Sequence, residues 1–207
     1  MSGIADLCDY HTPRLILYLT IELEEVVLKH KLQIKSCRSM LLYAMKIGLI
    51  SDTHDNIQNI QHAIKSFNDK HVRVVIHAGD IVSPETVMAF DGMRLIGILG
   101  NNDLKVHELT DAFNKIGGQL KGEFCEIEQD NLVFVVYHGT NLKRKESLIQ
   151  CGKYDVVVCG HTHRTQNKKV GKTLVLNPGT ANGWFFGYGA TAAIFDTQTR
   201  EPDFIHL

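Results

Sequence analysis

The stretch that decides the fold begins at Lys46 and reads KIGLISDTHDNIQNIQHAIKSF. Its opening run is apolar and bounded by polar residues, which predicts a buried strand. Ile57, Ile60, Ile64 and Phe67 then recur at helical spacing, which predicts a helix with one apolar face. A strand followed directly by such a helix is the repeating unit of a layered α/β fold.

The same alternation continues along the chain. The predicted strands are Lys46–Ser51, Val72–His77, Arg94–Leu99, Leu132–Tyr137 and Asp155–Cys159, and the predicted helices are Ile57–Asn68, Pro84–Phe90, Val106–Lys115 and Lys143–Gln150. After residue 160 we expect closely spaced strands at Gln166–Val170, Thr173–Leu176, Ala190–Asp196 and Asp203–Leu207. This pattern predicts two packed sheets flanked by helices.

Composition excludes several classes of protein. The chain has 207 residues, 22 Lys+Arg against 23 Asp+Glu, a net charge of -1 and 44% hydrophobic residues, as in an ordinary globular protein. This balance argues against a nucleic-acid or membrane-surface partner, so we expect no sequence-specific nucleic-acid binding. Five cysteines without a CxxC pair suit a reducing cytoplasm. No apolar run reaches the roughly 20 residues of a membrane span.

Residues 1–44 differ from the rest and contain no recognisable motif. They fail as a signal peptide, since Asp6 and Asp9 occupy the position of a basic segment and the apolar run from Leu15 is short. A weakly amphipathic helix near Leu19–His30 is one interpretation. Another is that Met45 is the biological start. We therefore divide the chain into an extension, 1–44, of uncertain status, and a domain, 45–207.

Polar residues that can bind metals follow five successive predicted strands. They are Asp52 and His54, Asp80, Asn101, His138, and His161 with His163. In α/β sheets, ligands bind beyond the carboxyl ends of the strands. We therefore expect these seven side chains to converge in one crevice.

Taken singly, the motifs carry unequal weight. An Asp-x-His is expected about once by chance in a chain with 11 histidines, whereas a Gly-His-x-His is rarer. The two histidines of Gly160–His163 could still be surface residues in a turn. All the motifs in order, each directly after an apolar run, favour a site over that alternative.

Mixed carboxylate, imidazole and amide ligands suit divalent ions such as Mn, Fe, Ni, Co or Zn, and the lack of a cysteine cluster argues against structural zinc. Two such ions bridged by a carboxylate and a hydroxide can hydrolyse a phosphoester. Seven ligands are a sufficient supply for that arrangement.

The ordered motifs D-x-H, G-D, G-N-x-D, H and G-H-x-H resemble the calcineurin-like metallophosphoesterase superfamily, and in particular its YfcE-like phosphodiesterase branch. The resemblance runs from Lys46 to the C-terminus and includes Asn177-Pro178-Gly179. It implies a four-layer αββα sandwich with two mixed sheets. It also implies a phosphodiesterase that acts through a metal-bridging hydroxide on a small phosphodiester, and the cysteine usage adds the expectation that this enzyme is cytoplasmic.

The resemblance further implies a ligand set for two divalent ions, with manganese favoured and nickel, iron, cobalt or zinc as alternatives. Asp52, His54 and His163 would hold one ion. Asn101, His138 and His161 would hold the other, and Asp80 would bridge the two.

One departure from the family pattern affects the mechanism. The family has a histidine, thought to protonate the leaving group or bind phosphate, where this chain has Asn102. An amide donates a hydrogen bond but is no general acid near neutral pH. We therefore expect a preference for good leaving groups and for diesters over alkyl monoesters. Asp80, Asn102 and Asp103 are the candidate catalytic residues, with Asp103 a candidate to orient a neighbouring group.

Two alternative functions remain open. The chain also resembles the retromer subunit of the same fold, which is a protein-interaction scaffold with a degraded metal site. A phosphomonoesterase is the other candidate.

Some further residues have candidate roles. Arg164 is a candidate phosphate contact, and we expect His77 to be a packing or supporting residue rather than a metal ligand. The aromatic residues Trp184, Phe185, Phe186 and Tyr188 could shape a substrate cleft, stack on a base or form a subunit contact, which makes a homo-oligomer possible.

Overall fold

The computed structural model describes residues 45–183, 187 and 189–207. The predicted helix near Leu19–His30, the status of residues 1–44 and the four aromatic residues between 184 and 188 lie outside this description. The division into 1–44 and 45–207 stays a prediction.

Eleven strands and four helices are assigned within the described residues. The strands are β1 (Lys46–Ile50), β2 (Val74–His77), β3 (Arg94–Gly97), β4 (Gln119–Leu120), β5 (Phe124–Gln129), β6 (Leu132–Tyr137), β7 (Val156–Val158), β8 (Thr165–Val170), β9 (Thr173–Pro178), β10 (Thr191–Asp196) and β11 (Glu201–His206). The helices are α1 (Ile57–Asp69), α2 (Pro84–Met88), α3 (Val106–Lys115) and α4 (Leu142–Gln150).

The strands form two mixed sheets. The larger has the order β11-β10-β1-β2-β3-β4, in which β1 to β4 are parallel and β10 and β11 are antiparallel to their neighbours. The smaller has the order β5-β6-β7-β9-β8, with β6, β7 and β9 parallel. The last two strands of the chain therefore complete the first sheet rather than the second.

The two sheets and the helices on their outer faces form four layers, with an apolar cluster between each pair of neighbouring layers. Side chains of both sheets, among them Ile47, Val74, Phe134 and Val158, pack together between the sheets. Helices α1 to α3 cover the outer face of the larger sheet, and α4 covers the smaller one through Leu148 and Ile149. The predicted αββα sandwich is confirmed.

Local sequence explains how α1 attaches to the sheet. The Asn56 side chain caps the helix by accepting a hydrogen bond from the Asn59 backbone N–H at 3.2 Å. The buried Phe67 ring lies over Gly48 of β1, where an added Cβ would come within 3.0 Å of the ring. The glycine thus allows the aromatic ring to approach the strand closely.

The predicted strands β1 and β6 and the predicted helix α3 agree with the structure to within a residue. Strands β4 and β5 were not predicted. Strand β5 is an edge strand in which Cys125 and Ile127 turn inward while Glu126 and Glu128 do not. The alternation of apolar and charged residues in β5 is a signal for a strand. The glutamates, however, make the segment as a whole too polar to stand out as an apolar run. No helix in the described part of the chain is long and apolar enough to span a membrane.

Replacing Phe67 with alanine should lower the free energy of unfolding by about 3–5 kcal/mol, because the change leaves a cavity between α1 and β1. Urea denaturation followed by circular dichroism measures the effect. Phe124→Ala is the matched control, since Phe124 is 40% exposed and contacts the Arg144 guanidinium, an interaction worth about 0.5–1 kcal/mol. Equal losses in the two variants would show that the α1 contact does not hold the layers together.

Candidate metal centre

Five loops that follow strands meet at one end of the sandwich. The loops after β1, β2 and β3 come from adjacent parallel strands of the larger sheet, and those after β6 and β7 come from adjacent parallel strands of the smaller one. Parallel strands present their carboxyl ends at the same edge. The predicted convergence of metal-competent side chains is therefore built by both sheets.

One group of potential ligands consists of Asp52, His54 and His163, whose ligand atoms lie within 4.8 Å of one another. His163 Nε2 is 3.2 Å from Asp52 Oδ1. The rings of His54 and His163 meet edge to face, with centroids 5.6 Å apart. Asp52 is fully buried, so this carboxylate is directed into the site and away from solvent.

A second group consists of Asp52, Asp80 and His138. His138 Nε2 is 3.4 Å from Asp80 Oδ2 and 3.9 Å from Asp52 Oδ1. His54 Nε2 lies 3.6 Å from the same Asp80 oxygen. The two groups therefore share Asp52 and are joined through Asp80, which gives a continuous set of five potential ligand side chains.

The orientation of His138 tests whether this set fits a cation. Its Nδ1 lies 2.8 Å from the Ala78 carbonyl oxygen, which can only accept, so Nδ1 carries the proton. Nε2 then presents its lone pair toward the Asp80 and Asp52 carboxylates, and it is buried without a hydrogen-bond partner. A cation bound between this lone pair and the two carboxylates would stabilise all three groups, so the residues fit a divalent metal.

Asp80 and His77 are both buried, but only Asp80 is charged. Burial raises the pKa of Asp80, but the His138 imidazole beside it and the two hydrogen bonds from Asn102 outweigh burial, so the net pKa is lowered and the carboxylate stays ionised. Burial lowers the pKa of His77 to about 3, so this imidazole is neutral. Its Nε2 lies 3.1 Å from Thr53 Oγ1 and its ring packs against Phe90, so it supports the loop after β1.

Five of the seven predicted ligands have left-handed backbones. The φ angles are 51° at Asp52, 40° at His54, 57° at Asp80, 68° at His161 and 59° at His163. Each such residue other than glycine costs about 1–3 kcal/mol, and such residues cluster at functional sites. The surrounding structure must therefore hold these loops in place.

Asp103 holds the loop that carries Asp80. Its carboxylate accepts hydrogen bonds of 2.7–2.9 Å from the backbone N–H groups of Asp80, Ile81, Val82 and Gly100. Val82, a β-branched residue with a φ of 78°, lies within this loop. Asp103 is buried and orients backbone rather than a neighbouring side chain.

Asn102 contacts Asp80 twice. Its backbone N–H donates to Asp80 Oδ1 at 2.9 Å, and its Nδ2 donates to Asp80 Oδ2 at 2.7 Å. Oδ2 is also the oxygen that faces His54 and His138. The amide therefore orients the central carboxylate of the site.

The remaining two predicted ligands are less enclosed. The His161 ring lies edge to face against the His138 ring, with centroids 5.2 Å apart, and the His161 backbone N–H donates to the Asp52 carboxylate. Burial lowers the pKa of His161. Asn101 is exposed at the start of the loop after β3. Neither belongs to the two ligand groups above.

Several supporting residues were not predicted as such. Asn177 lies near the end of β9 and donates through Nδ2 to the Gly160 carbonyl oxygen and Thr162 Oγ1. Ser51 donates to Asp52 Oδ2 at 2.5 Å, and Thr180 donates to the Asp52 carbonyl oxygen. The sequence signal that could have indicated these supporting residues was the presence of small polar residues next to the motifs.

Comparison with known proteins identifies the family. A calcineurin-like phosphoesterase superfamily domain matches residues 45–200. Phosphodiesterase MJ0936 of Methanocaldococcus jannaschii is 39% identical over 160 residues, which cover 76% of this chain and 96% of that protein.

Solved structures agree with this comparison. A novel archaeal phosphodiesterase matches with a TM-score of 0.75 and 39% identity, covering 79% of this chain and all of that one. YfcE, a phosphoesterase from E. coli, has a TM-score of 0.59 at 15% identity, covering 78% of this chain and 99% of that one, and shares the fold. The resemblance expected from the motifs is confirmed: the chain belongs to the calcineurin-like phosphoesterase superfamily.

Proposed function

We propose that this protein is a dinuclear metal-dependent phosphodiesterase that acts on a small phosphodiester. One observation carries the proposal. Buried carboxylates and histidine nitrogens converge at the ends of strands from both sheets, and the Nε2 lone pair of His138 faces Asp80 and Asp52. The names of the archaeal relatives support hydrolysis of phosphodiesters.

The ligand assignment follows the two groups. Asp52, His54 and His163 would hold one metal. Asp80 and His138 would hold the second, together with Asn101 and His161 at its exposed side, and Asp80 would serve both. The nitrogen and oxygen donors suit manganese, with nickel, iron, cobalt and zinc as alternatives.

A pair of such ions lowers the pKa of a water molecule, orients the phosphoryl group and neutralises charge that develops in the reaction. Two neighbouring residues hold the Asp80 ligand in position. Asp103 fixes the backbone that carries Asp80, and Asn102 fixes the Asp80 carboxylate by donating to both of its oxygens. Preorganised ligands avoid reorganisation during the reaction.

Asn102 also limits which esters can react. Its amide cannot protonate a departing alkoxide, so the leaving group must depart without a general acid from this position. Esters with stable leaving groups, and diesters rather than alkyl monoesters, should therefore be preferred. This feature favours a phosphodiesterase over the phosphomonoesterase alternative.

The scaffold alternative predicts a different site. A protein that uses this fold only to bind partners has no need to bury carboxylates and imidazoles together, because burying charged groups costs free energy unless they are paired or bind metals. Asp52, Asp80 and His138 are all buried here. Their retention favours catalysis.

Asp80→Asn should reduce Mn²⁺-dependent hydrolysis of bis(p-nitrophenyl) phosphate by about 100-fold or more, since it removes the negative charge that joins the two ligand groups. Chelation of the metal should abolish wild-type hydrolysis, and added Mn²⁺ should restore it. Asp111→Asn, an exposed position on α3, is the control and should retain wild-type activity. Wild-type rates in folded Asp80→Asn, verified by its thermal midpoint, would contradict the assignment.

Asn102→His should raise the ratio of p-nitrophenyl phosphate to bis(p-nitrophenyl) phosphate hydrolysis, and should raise it further for alkyl monoesters. Because general acid catalysis contributes about 10²–10⁴-fold, a gain of about tenfold for alkyl esters is expected. Steady-state kcat/KM values measure it.

Asn102→Ala separates the two roles of the residue. It removes the side-chain hydrogen bond to Asp80 Oδ2 without adding an acid, so it should slow all esters alike. An unchanged ester ratio in Asn102→His, or the same ratio change in both variants, would contradict this explanation of the leaving-group preference.

A further inference from the structure

A cleft opens beside the candidate metal centre, and His163 is the one proposed metal ligand among the described residues of its walls. We call it the side cleft. It has a volume of about 610 Å³, and its walls include His163, Arg164, Thr165, Thr191, Phe204 and His206. Because His163 also belongs to the first ligand group, the side cleft and the metal centre share a wall.

The cleft lies between the edge strands of the two sheets. Strand β11 ends the larger sheet and β8 ends the smaller one. Ile205 of β11 packs against the cluster on the helix side, whereas Phe204 packs against the cluster between the sheets. His206 has the same parity as Phe204, so it points to the same face.

Strand β8 supplies no residue to the cluster between the sheets. Its sequence, Thr165-Gln-Asn-Lys-Lys-Val170, is polar, and Thr165 faces the cleft. Because no side chain of β8 joins this cluster, the sandwich is open on this side. The opening is thus a consequence of the sequences of the two edge strands.

The walls of the cleft combine an aromatic surface with hydrogen-bond donors. Phe204 is half-buried against the core, so its ring is held in place while one side borders the cleft. Arg164 and His206 are exposed and can both donate hydrogen bonds. Among the described residues of the lining there is no carboxylate. The volume is in the range of small-molecule sites.

We propose that the side cleft binds the nucleoside part of a nucleotidyl phosphodiester. The base stacks on Phe204, Arg164 and His206 donate to acceptors on the base or sugar, and the phosphoryl group lies at the metal centre past His163. A planar base that carries hydrogen-bond acceptors matches the Phe204 ring and the donors Arg164 and His206 in the described part of this wall. This inference rests on the proposed function, because it places the phosphoryl group at that centre.

The test compares two ligands that offer the same phosphoryl group with and without a nucleoside. Calorimetry on the Mn²⁺-loaded protein gives Kd values for thymidine 5′-monophosphate and methyl phosphate. Base stacking should make the nucleotide bind about tenfold or more tightly. In Phe204→Leu the two Kd values should differ by roughly threefold or less, since the aromatic surface is lost. Ile205→Leu, on the opposite face of the same strand, is the control and should keep the wild-type ratio.

Equal Kd values in the wild type, or a wild-type ratio in folded Phe204→Leu, would overturn the side cleft as a nucleoside site. Hydrolysis of bis(p-nitrophenyl) phosphate, measured on the same preparation, separates this failure from failure of the proposed function. If bis(p-nitrophenyl) phosphate is hydrolysed but the nucleotide and methyl phosphate bind with equal Kd values, only the nucleoside site in the side cleft is overturned. A retained nucleotide preference without hydrolysis supports the cleft and overturns the phosphodiesterase, and the absence of both overturns both.

Discussion

The carboxylate of Asp103 accepts hydrogen bonds from four backbone N–H groups, and the geometry of the site depends on this interaction. Three of the donors, at Asp80, Ile81 and Val82, belong to the loop after β2, and the fourth is Gly100. The contact joins two loops and holds Asp80 and Val82 in left-handed conformations. It also requires close approach, because a Cβ at Gly100 would overlap the Asp80 carboxylate. The buried carboxylate stabilises these strained backbone conformations through charge-assisted hydrogen bonds.

The central carboxylate, Asp80, connects this loop framework to the proposed chemistry. Asn102 donates to both of its oxygens, and His54 and His138 face one of them. The position that would supply a proton donor in the family pattern instead supplies an orienting amide. Under the proposed function, Asn102 orients a metal ligand but provides no general acid at this position. This exchange is consistent with a diester whose leaving group needs no protonation.

Much of the fold could be predicted because apolar runs are local signals. Strands β1 and β6 and helix α3 are each encoded by their own residues, and the polar residues after the strands indicated where a site would form. Strand β5 was missed because only alternate residues are buried at the sheet edge. The roles of Asp103 and Asn177 could not be predicted, since their partners lie 3–23 and 2–17 residues away and are selected by packing. The left-handed backbones likewise depend on these tertiary contacts.

The central claim is that Asp52, Asp80 and the histidines around them hold two metals. A crystal structure of the Mn²⁺-loaded protein, with anomalous difference maps recorded near the manganese edge, tests it most directly. The account predicts two peaks about 3.5–4 Å apart, one beside His54 and His163 and one beside His138, with Asp80 between them. A single peak, or no peak at saturating Mn²⁺, would contradict it.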